Sequence, residues 1–286
     1  MDLPQCSIFS LVFSMPDRHG PEKLMFIDAA SGESLTRGAF HHLALSLAKG
    51  ATSYHPPEAR TFLGRDPPKR GLPLSQGQVA LIFAPNAVSY AIAFYGLQAA
   101  GIVTTLANSA YTSGELRHQL HDSNAEVAFV HPTLLPVLQE AWKLLGVDAA
   151  EQSRRTVVID WVAGSTSATT DPALSNFTSF TRLLNLGKLE REVAIDGWHA
   201  RNTTALMCYS SGTTGLAKGV ESTHYNATSM VVMTSPVSPW FDNDVALSVL
   251  PMFHIFGAVL NTLYWPTFGV PVVIQGEQLL LLSISR

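Results

Sequence analysis

Charge is what this sequence has least of. Lysine and arginine number 18 and aspartate and glutamate 22, so charged residues make up 14% of the chain, against about 25% in an average soluble protein. A net charge of −4 excludes a strongly basic nucleic-acid binder, whose affinity rests on neutralising phosphates with Lys and Arg. Cysteine is almost missing. Cys6 and Cys208 form neither a disulfide framework nor a metal-ligand spacing, which fits a reducing compartment. Internal repeats and long low-complexity tracts are missing too. What remains is 47% hydrophobic over 286 residues, enough to bury a sizeable core and too apolar for a disordered chain.

Scarce charge raises the question of a membrane. Residues 78–114 and 245–276 contain no Asp, Glu, Lys or Arg. The first stretch is interrupted by Asn86, Ser89, Gln98, Gly101 and Asn108, the second by Pro251, Pro266 and Pro271. A spanning helix needs about 20 predominantly apolar residues, so no membrane span is expected. The apolar patch Ile8, Phe9, Leu11, Val12 and Phe13 follows Asp2 with no basic residue ahead of it, a poor secretion signal. Without such a signal, the Asn-x-Thr triplets at Asn176, Asn202 and Asn226 read as chance matches.

Strand and helix patterns alternate along the first 160 residues. Strands are predicted at 23–28, 79–83, 102–106, 126–130 and 156–160, and helices at 35–49, 87–100, 113–121 and 133–145, with Ser113 as an N-cap. Residues 54–73, with Pro56, Pro57, Pro67 and Pro68 ahead of Pro73, suggest a surface loop. Alternation of this kind argues for an α/β domain with a mainly parallel sheet flanked by helices. Residues 161–200 are mixed, with a short helix near 177–186, and read as a linker region. A second α/β segment then begins at about 201, with strands at 205–209, 245–249 and 270–275 and a helix starting near Tyr225.

The most informative segment follows the apolar strand at 205–209. It reads Tyr209-Ser210-Ser211-Gly212-Thr213-Thr214-Gly215-Leu216-Ala217-Lys218-Gly219-Val220. Glycines let backbone approach a ligand closely, successive N–H groups form an anion-binding concavity, and hydroxyls and one lysine add donors and charge. That is the chemistry a polyphosphate requires. Lys218 precedes Gly219 and Val220 follows, so a Walker A loop is excluded; no G-x-G-x-x-G or G-x-S-x-G run occurs either.

The segment YSSGTTGLAKGV resembles the phosphate-binding signature of the adenylate-forming (AMP-binding) superfamily, whose members include acyl-CoA synthetases and 4-coumarate–CoA ligases. The family pattern usually has Pro where this chain has Ala217, a change that removes no donor. The octapeptide Leu250-Pro251-Met252-Phe253-His254-Ile255-Phe256-Gly257 resembles the family's aromatic motif. Residues 77–130, with Pro85, Asn86, Gly101, Asn108, Tyr111 and Thr112 in place, resemble its N-terminal domain. The 4-coumarate–CoA ligase-like branch is the nearest in character.

The resemblance implies an ATP-dependent acyl-CoA ligase that activates a carboxylic acid as an acyl-adenylate and transfers it to coenzyme A, with Mg2+ accompanying ATP. It implies that Ser210, Ser211, Gly212, Thr213, Thr214, Gly215 and Lys218 cradle the phosphates. His254, 36 residues beyond Lys218, would stand beside the acyl carboxylate or adenylate, and Phe256 would line the acyl pocket. Small-molecule acid, ATP and coenzyme A are the expected partners, and the cytoplasm or peroxisome the expected location, although the terminal Ile284-Ser285-Arg286 is not a peroxisomal tripeptide. A role in secondary metabolism would suit this branch. His118 and His121, three apart beside Asp122, read as a solvated helix face. Cys208 reads as a small buried hydrophobe.

The resemblance stops near residue 275. Residues 276–286 (GEQLLLLSISR) read as a divergent tail after a partial N-terminal domain spanning 1–275. The family's later adenine, ribose and catalytic-lysine motifs, and its small C-terminal domain, find no match. The expectation is a C-terminally truncated ligase whose adenylation alone is very slow or absent, the alternative being a non-catalytic nucleotide-binding remnant.

Overall fold

The computed structural model describes residues 3–14, 19–56, 70–162, 171–210 and 215–276. The proline-rich stretch expected as a loop at 54–73 lies mostly outside them. Eleven strands form two sheets among the described residues. They are β1 (Leu24–Asp28), β2 (Ser34–Thr36), β3 (Val79–Phe83), β4 (Val103–Leu106), β5 (Val127–Val130), β6 (Thr156–Val158), β7 (Thr178–Ser179), β8 (Thr204–Ser210), β9 (Lys218–Thr223), β10 (Ala246–Ser248) and β11 (Val272–Ile274). The main helices are α1 (Ile8–Phe13), α2 (Arg37–Ser53), α3 (Val88–Ala99), α4 (Ser113–Asp122), α5 (Leu135–Leu144), α6 (Ala149–Arg155), α7 (Phe180–Leu184), α8 (Gly197–Asn202) and α9 (His224–Thr234).

The larger sheet has seven strands in the order β7-β6-β5-β3-β4-β8-β9, all parallel except the edge strand β9, which runs antiparallel to β8. Its centre is built from short runs with no polar alternation, VALIF in β3 and VAFV in β5, as strands covered on both faces require. Alternate side chains then serve two cores. Ala80, Ile82, Val127 and Phe129 pack in one core with Phe40, Ala44 and Leu47 of α2 and Ile92 and Phe94 of α3. Leu81, Phe83, Ala128 and Val130 pack in the other with Leu116 and Leu120 of α4 and Leu138 and Trp142 of α5. The expected α/β class with a mainly parallel sheet is therefore observed.

Sheet membership crosses the mixed region 161–200: β8 lies in register beside β4, with Leu106 opposite Cys208. The smaller sheet, β10-β11-β1-β2, joins residues from opposite ends of the chain, because β1 pairs parallel with β11 (Phe26 opposite Val272). Six short elements were not anticipated from the sequence: α1, β2, α6, β7, α8 and β9. The last is an exposed edge strand of sequence KGVEST, whose polar residues carry no burial signal. The α4 cap also differs by one residue. Thr112 is the N-cap, bonding Glu115 N–H while Glu115 returns a bond to the Thr112 N–H, a reciprocal capping box. Among the described residues, no helix is long and apolar enough to cross a membrane.

Helix α1 is tied to α9 by an imidazole. The buried His224 Nδ1 accepts from the Ile8 N–H at 3.1 Å, and burial pushes its pKa down to about 4. The unfolded chain protonates near the ordinary 6.5. The stabilisation is therefore complete above about pH 6.5 and is lost as the pH falls toward 4. It should amount to a loss on the order of 3 kcal/mol, read as a falling urea midpoint between about pH 7 and about pH 4 and flattened in His224→Gln.

Candidate nucleotide site

The chain leaves β3, forms β4 on one side, then crosses back to form β5 on the other. Such a reversal opens a crevice at the carboxyl ends of the strands, where α/β sheets bind ligands. Beside this reversal, a cleft of about 600 Å³ lies at the carboxyl ends of the neighbouring strands β4 and β8. Its floor is Leu106 at the end of β4 and Tyr209 and Ser210 at the end of β8; one wall is Glu115, His118 and Gln119 of α4. Gly215, Leu216 and Ala217 of the glycine-rich segment close another side, and Phe253 and His254 stand at the rim.

The glycine-rich segment is the connection of an antiparallel hairpin. Ser210 and Lys218 are paired across it, so Lys218 begins β9 as an exposed residue at the foot of the loop. Ser211, Gly212, Thr213 and Thr214 lie outside the described residues. Of the predicted phosphate-binding set, Ser210 and Gly215 line the cleft, and Lys218 stands one residue beyond the lining Ala217.

His254 N-caps a helical turn, Ile255–Gly257, through Nδ1 accepting from the Phe256 N–H. Its segment is held by a residue far away in sequence. Asn86, in the loop after β3, donates from Nδ2 to the Leu250 carbonyl at 2.9 Å and accepts at Oδ1 from the Met252 N–H at 2.7 Å. Buried Asn261 adds a bond from Nδ2 to the same carbonyl at 3.1 Å. Asn86→Ala strips the Met252 N–H of its partner beside a fully buried side chain. It should cost about 2 kcal/mol in urea unfolding.

Phe256, predicted as a pocket residue, is 57% exposed and not at the cleft. Phe253 is there instead, because the turn that begins at Ile255 rotates Phe256 away from the strand ends. Sequence reasoning also missed the α4 wall. His118 is half-buried rather than solvated, and its Nε2 lies 2.7 Å from the Ala217 carbonyl. The Gln119 amide donates to Thr105 Oγ1 and to the Leu106 carbonyl, fixing α4 to the end of β4. The available signal was spacing: Glu115, His118, Gln119 and Asp122 lie at i, i+3, i+4 and i+7, one face of a helix.

The electrostatics of the cleft are set by burial and by these bonds. The Thr112 N–H, then its hydroxyl, holds the Glu115 carboxyl below its ordinary range. Burial, then the hydrogen bond to Asp122, pushes the Tyr209 phenol upward. Cys208, on β8 just before the cleft, is buried, and burial pushes its thiol up to about 12; it packs as the small hydrophobe expected.

The family model described as AMP-binding enzyme matches residues 70–283, and the chain belongs to that family. It is 27% identical over 276 residues to 4-coumarate–CoA ligase-like 3 of Arabidopsis thaliana, covering 95% of this chain and 43% of that protein. It is 29% identical over 259 residues to 4-coumarate–CoA ligase 5 of Oryza sativa subsp. japonica, covering 89% and 40%. The chain thus spans about two fifths of the length of these curated relatives. Among solved structures, a long-chain-fatty-acid–CoA ligase (FadD1) of Archaeoglobus fulgidus superposes with a TM-score of 0.74 at 23% identity, over 96% of this chain and 48% of that one. That likeness shows the fold, the N-terminal α/β domain of adenylate-forming enzymes.

Proposed function

We propose that this chain carries the nucleotide-binding part of an ATP-dependent acid–thiol ligase of the acyl-CoA synthetase type. The observation that supports this most is convergence. Ser210, Gly215 and Ala217 of the hairpin meet Phe253 and His254 at one cleft on the carboxyl side of β4 and β8. The family resemblance and the ligase names of the relatives point the same way.

In this reading the β- and γ-phosphates of ATP lie in the hairpin loop, against Ser210, Ser211, Gly212, Thr213, Thr214, Gly215 and Lys218. The carboxylate oxygen of a small acid attacks the α-phosphorus. The bond to the bridging oxygen breaks, pyrophosphate leaves and an acyl-adenylate forms. The thiol of coenzyme A then attacks the acyl carbon, losing its proton, and AMP departs. Both steps bring negative charge together, so loop N–H groups, hydroxyls and Lys218 contribute by positioning and electrostatic stabilisation. His254 at the rim would orient the acid, with Phe253 beside it; Phe256 would contribute only by turning inward. Magnesium fits as an ion carried by the triphosphate, since it is commonly bound by phosphates with one or two carboxylates, and Glu115 supplies a carboxylate among the described lining residues. The expected setting is cytoplasm or peroxisome.

The test is ATP binding by calorimetry, followed by ATP–pyrophosphate exchange with a panel of aryl, medium-chain and long-chain acids. ATP binding is the expected result. Acid-dependent exchange would assign the first half-reaction to this chain, and binding without exchange would assign it nucleotide capture alone. Failure to bind ATP overturns the reading.

A further inference from the structure

We propose that His118 is a positioning residue that braces the nucleotide loop. Its Nε2–H donates to the Ala217 carbonyl and so fixes the C-terminal leg of the hairpin against α4. The proposal rests on the reading of this cleft as a nucleotide site and adds a residue to it.

Three observations converge. The Nε2 to Ala217 oxygen distance is 2.7 Å, at the short end of the N–H···O range. A carbonyl can only accept, so His118 must present a proton at Nε2. The other leg of the same hairpin is tied to the same helix: the Tyr209 hydroxyl donates to Asp122 Oδ2 at 2.6 Å. The imidazole and the Tyr209 ring meet edge-on, with centroids 6.2 Å apart. Thus α4 grips both legs, one through residue 118 and the other through residue 122, which are one helical turn apart.

The helix is itself anchored, so the grip has something to pull against. Its N-terminus carries the Thr112–Glu115 capping box, Gln119 bonds the end of β4, and Leu116 and Leu120 are buried beneath it. The hairpin leg, by contrast, is poorly held by its own residues. Gly215 and Leu216 are exposed, and β9 is an edge strand whose first four residues, Lys218 to Glu221, are all exposed. A loop that must present backbone N–H groups to phosphates gains affinity from being held in place before the ligand arrives. Fixing the Ala217 carbonyl also sets the peptide plane that leads into Lys218.

The experiment compares the full chain with His118→Ala, His118→Gln and His121→Ala. Glutamine reaches a similar distance and keeps an N–H donor at its end, and His121 is exposed on the same helix. Ligand-free hydrogen exchange of the β8–β9 amides is measured first, then ATP affinity by calorimetry. The expected result in His118→Ala is about tenfold faster exchange across the hairpin, with β3 and β5 unchanged, and about tenfold weaker ATP binding. Both return to within about threefold in His118→Gln, and His121→Ala matches the parent chain. Unchanged hairpin exchange in His118→Ala overturns the brace. So does an equal rise in both His118 variants, which would mark packing rather than the hydrogen bond. If the parent chain binds no ATP, the nucleotide reading fails while the exchange comparison still decides the brace.

Discussion

Lys218→Ala should weaken ATP binding by roughly 10- to 100-fold, the range of a charged hydrogen bond to phosphate. The residue begins β9 directly opposite Ser210, so its backbone is held by the ladder while its side chain is exposed. It is the cation of the twelve-residue segment 209–220, in a chain that is short of charge altogether. In the proposed site, its removal would leave the segment with uncharged donors only. Because the side chain is exposed, the substitution should leave the urea midpoint within about 0.5 kcal/mol of the parent. Lys218→Arg keeps the charge and should retain more affinity than alanine. Calorimetry with ATP and with AMP separates the effects, since a lysine acting on the β- and γ-phosphates should matter little to AMP. Equal ATP affinity in the parent and in Lys218→Ala would remove the lysine from the site.

The second large effect is expected from a single added carbon at Gly257. A Cβ built there overlaps the Pro251 carbonyl oxygen and also approaches the Leu250 carbonyl. Both obstacles are backbone, and neither can rotate away as a side chain would. The same Leu250 carbonyl is already held by Asn86 and Asn261, so the octapeptide has little freedom to yield. Gly257→Ala should therefore cost about 3 kcal/mol or more and displace His254, which caps the turn ending at Gly257. Urea unfolding gives the first quantity. Amide hydrogen exchange across residues 252–258, faster than in His254→Ala, gives the second. Gly257→Ala with an unchanged unfolding midpoint would show that the segment has room the packing denies.

The elements legible in the sequence were those whose residues carry their own burial signal. VALIF and VAFV announce buried strands because covered strands need no polar face. The α3 run from Val88 to Ala99 is buried at every position, in keeping with its complete lack of charged residues. Elements with weak local signals were missed: β9 is polar and exposed, and β2 has three residues. The hairpin segment was legible as a phosphate loop because its chemistry is contiguous. The partners of that loop were not. His118 and Asp122 look like any solvated face until β8 is placed beside β4, and Asn86 lies more than 160 residues from the segment it clamps. A motif gives order along the chain and not direction around a turn, so the octapeptide alone does not tell that Phe253, and not Phe256, lines the cleft.

The sequence by itself determined the α/β class, the buried strands and the loop composition that suits an anionic ligand. Each of these follows from residues that are neighbours along the chain. Tertiary structure alone decided which strands adjoin, which face of α4 meets the hairpin, and which aromatic stands with His254 at the cleft. Those choices depend on hydrogen bonds between residues tens to hundreds of positions apart, and a linear pattern carries no record of them.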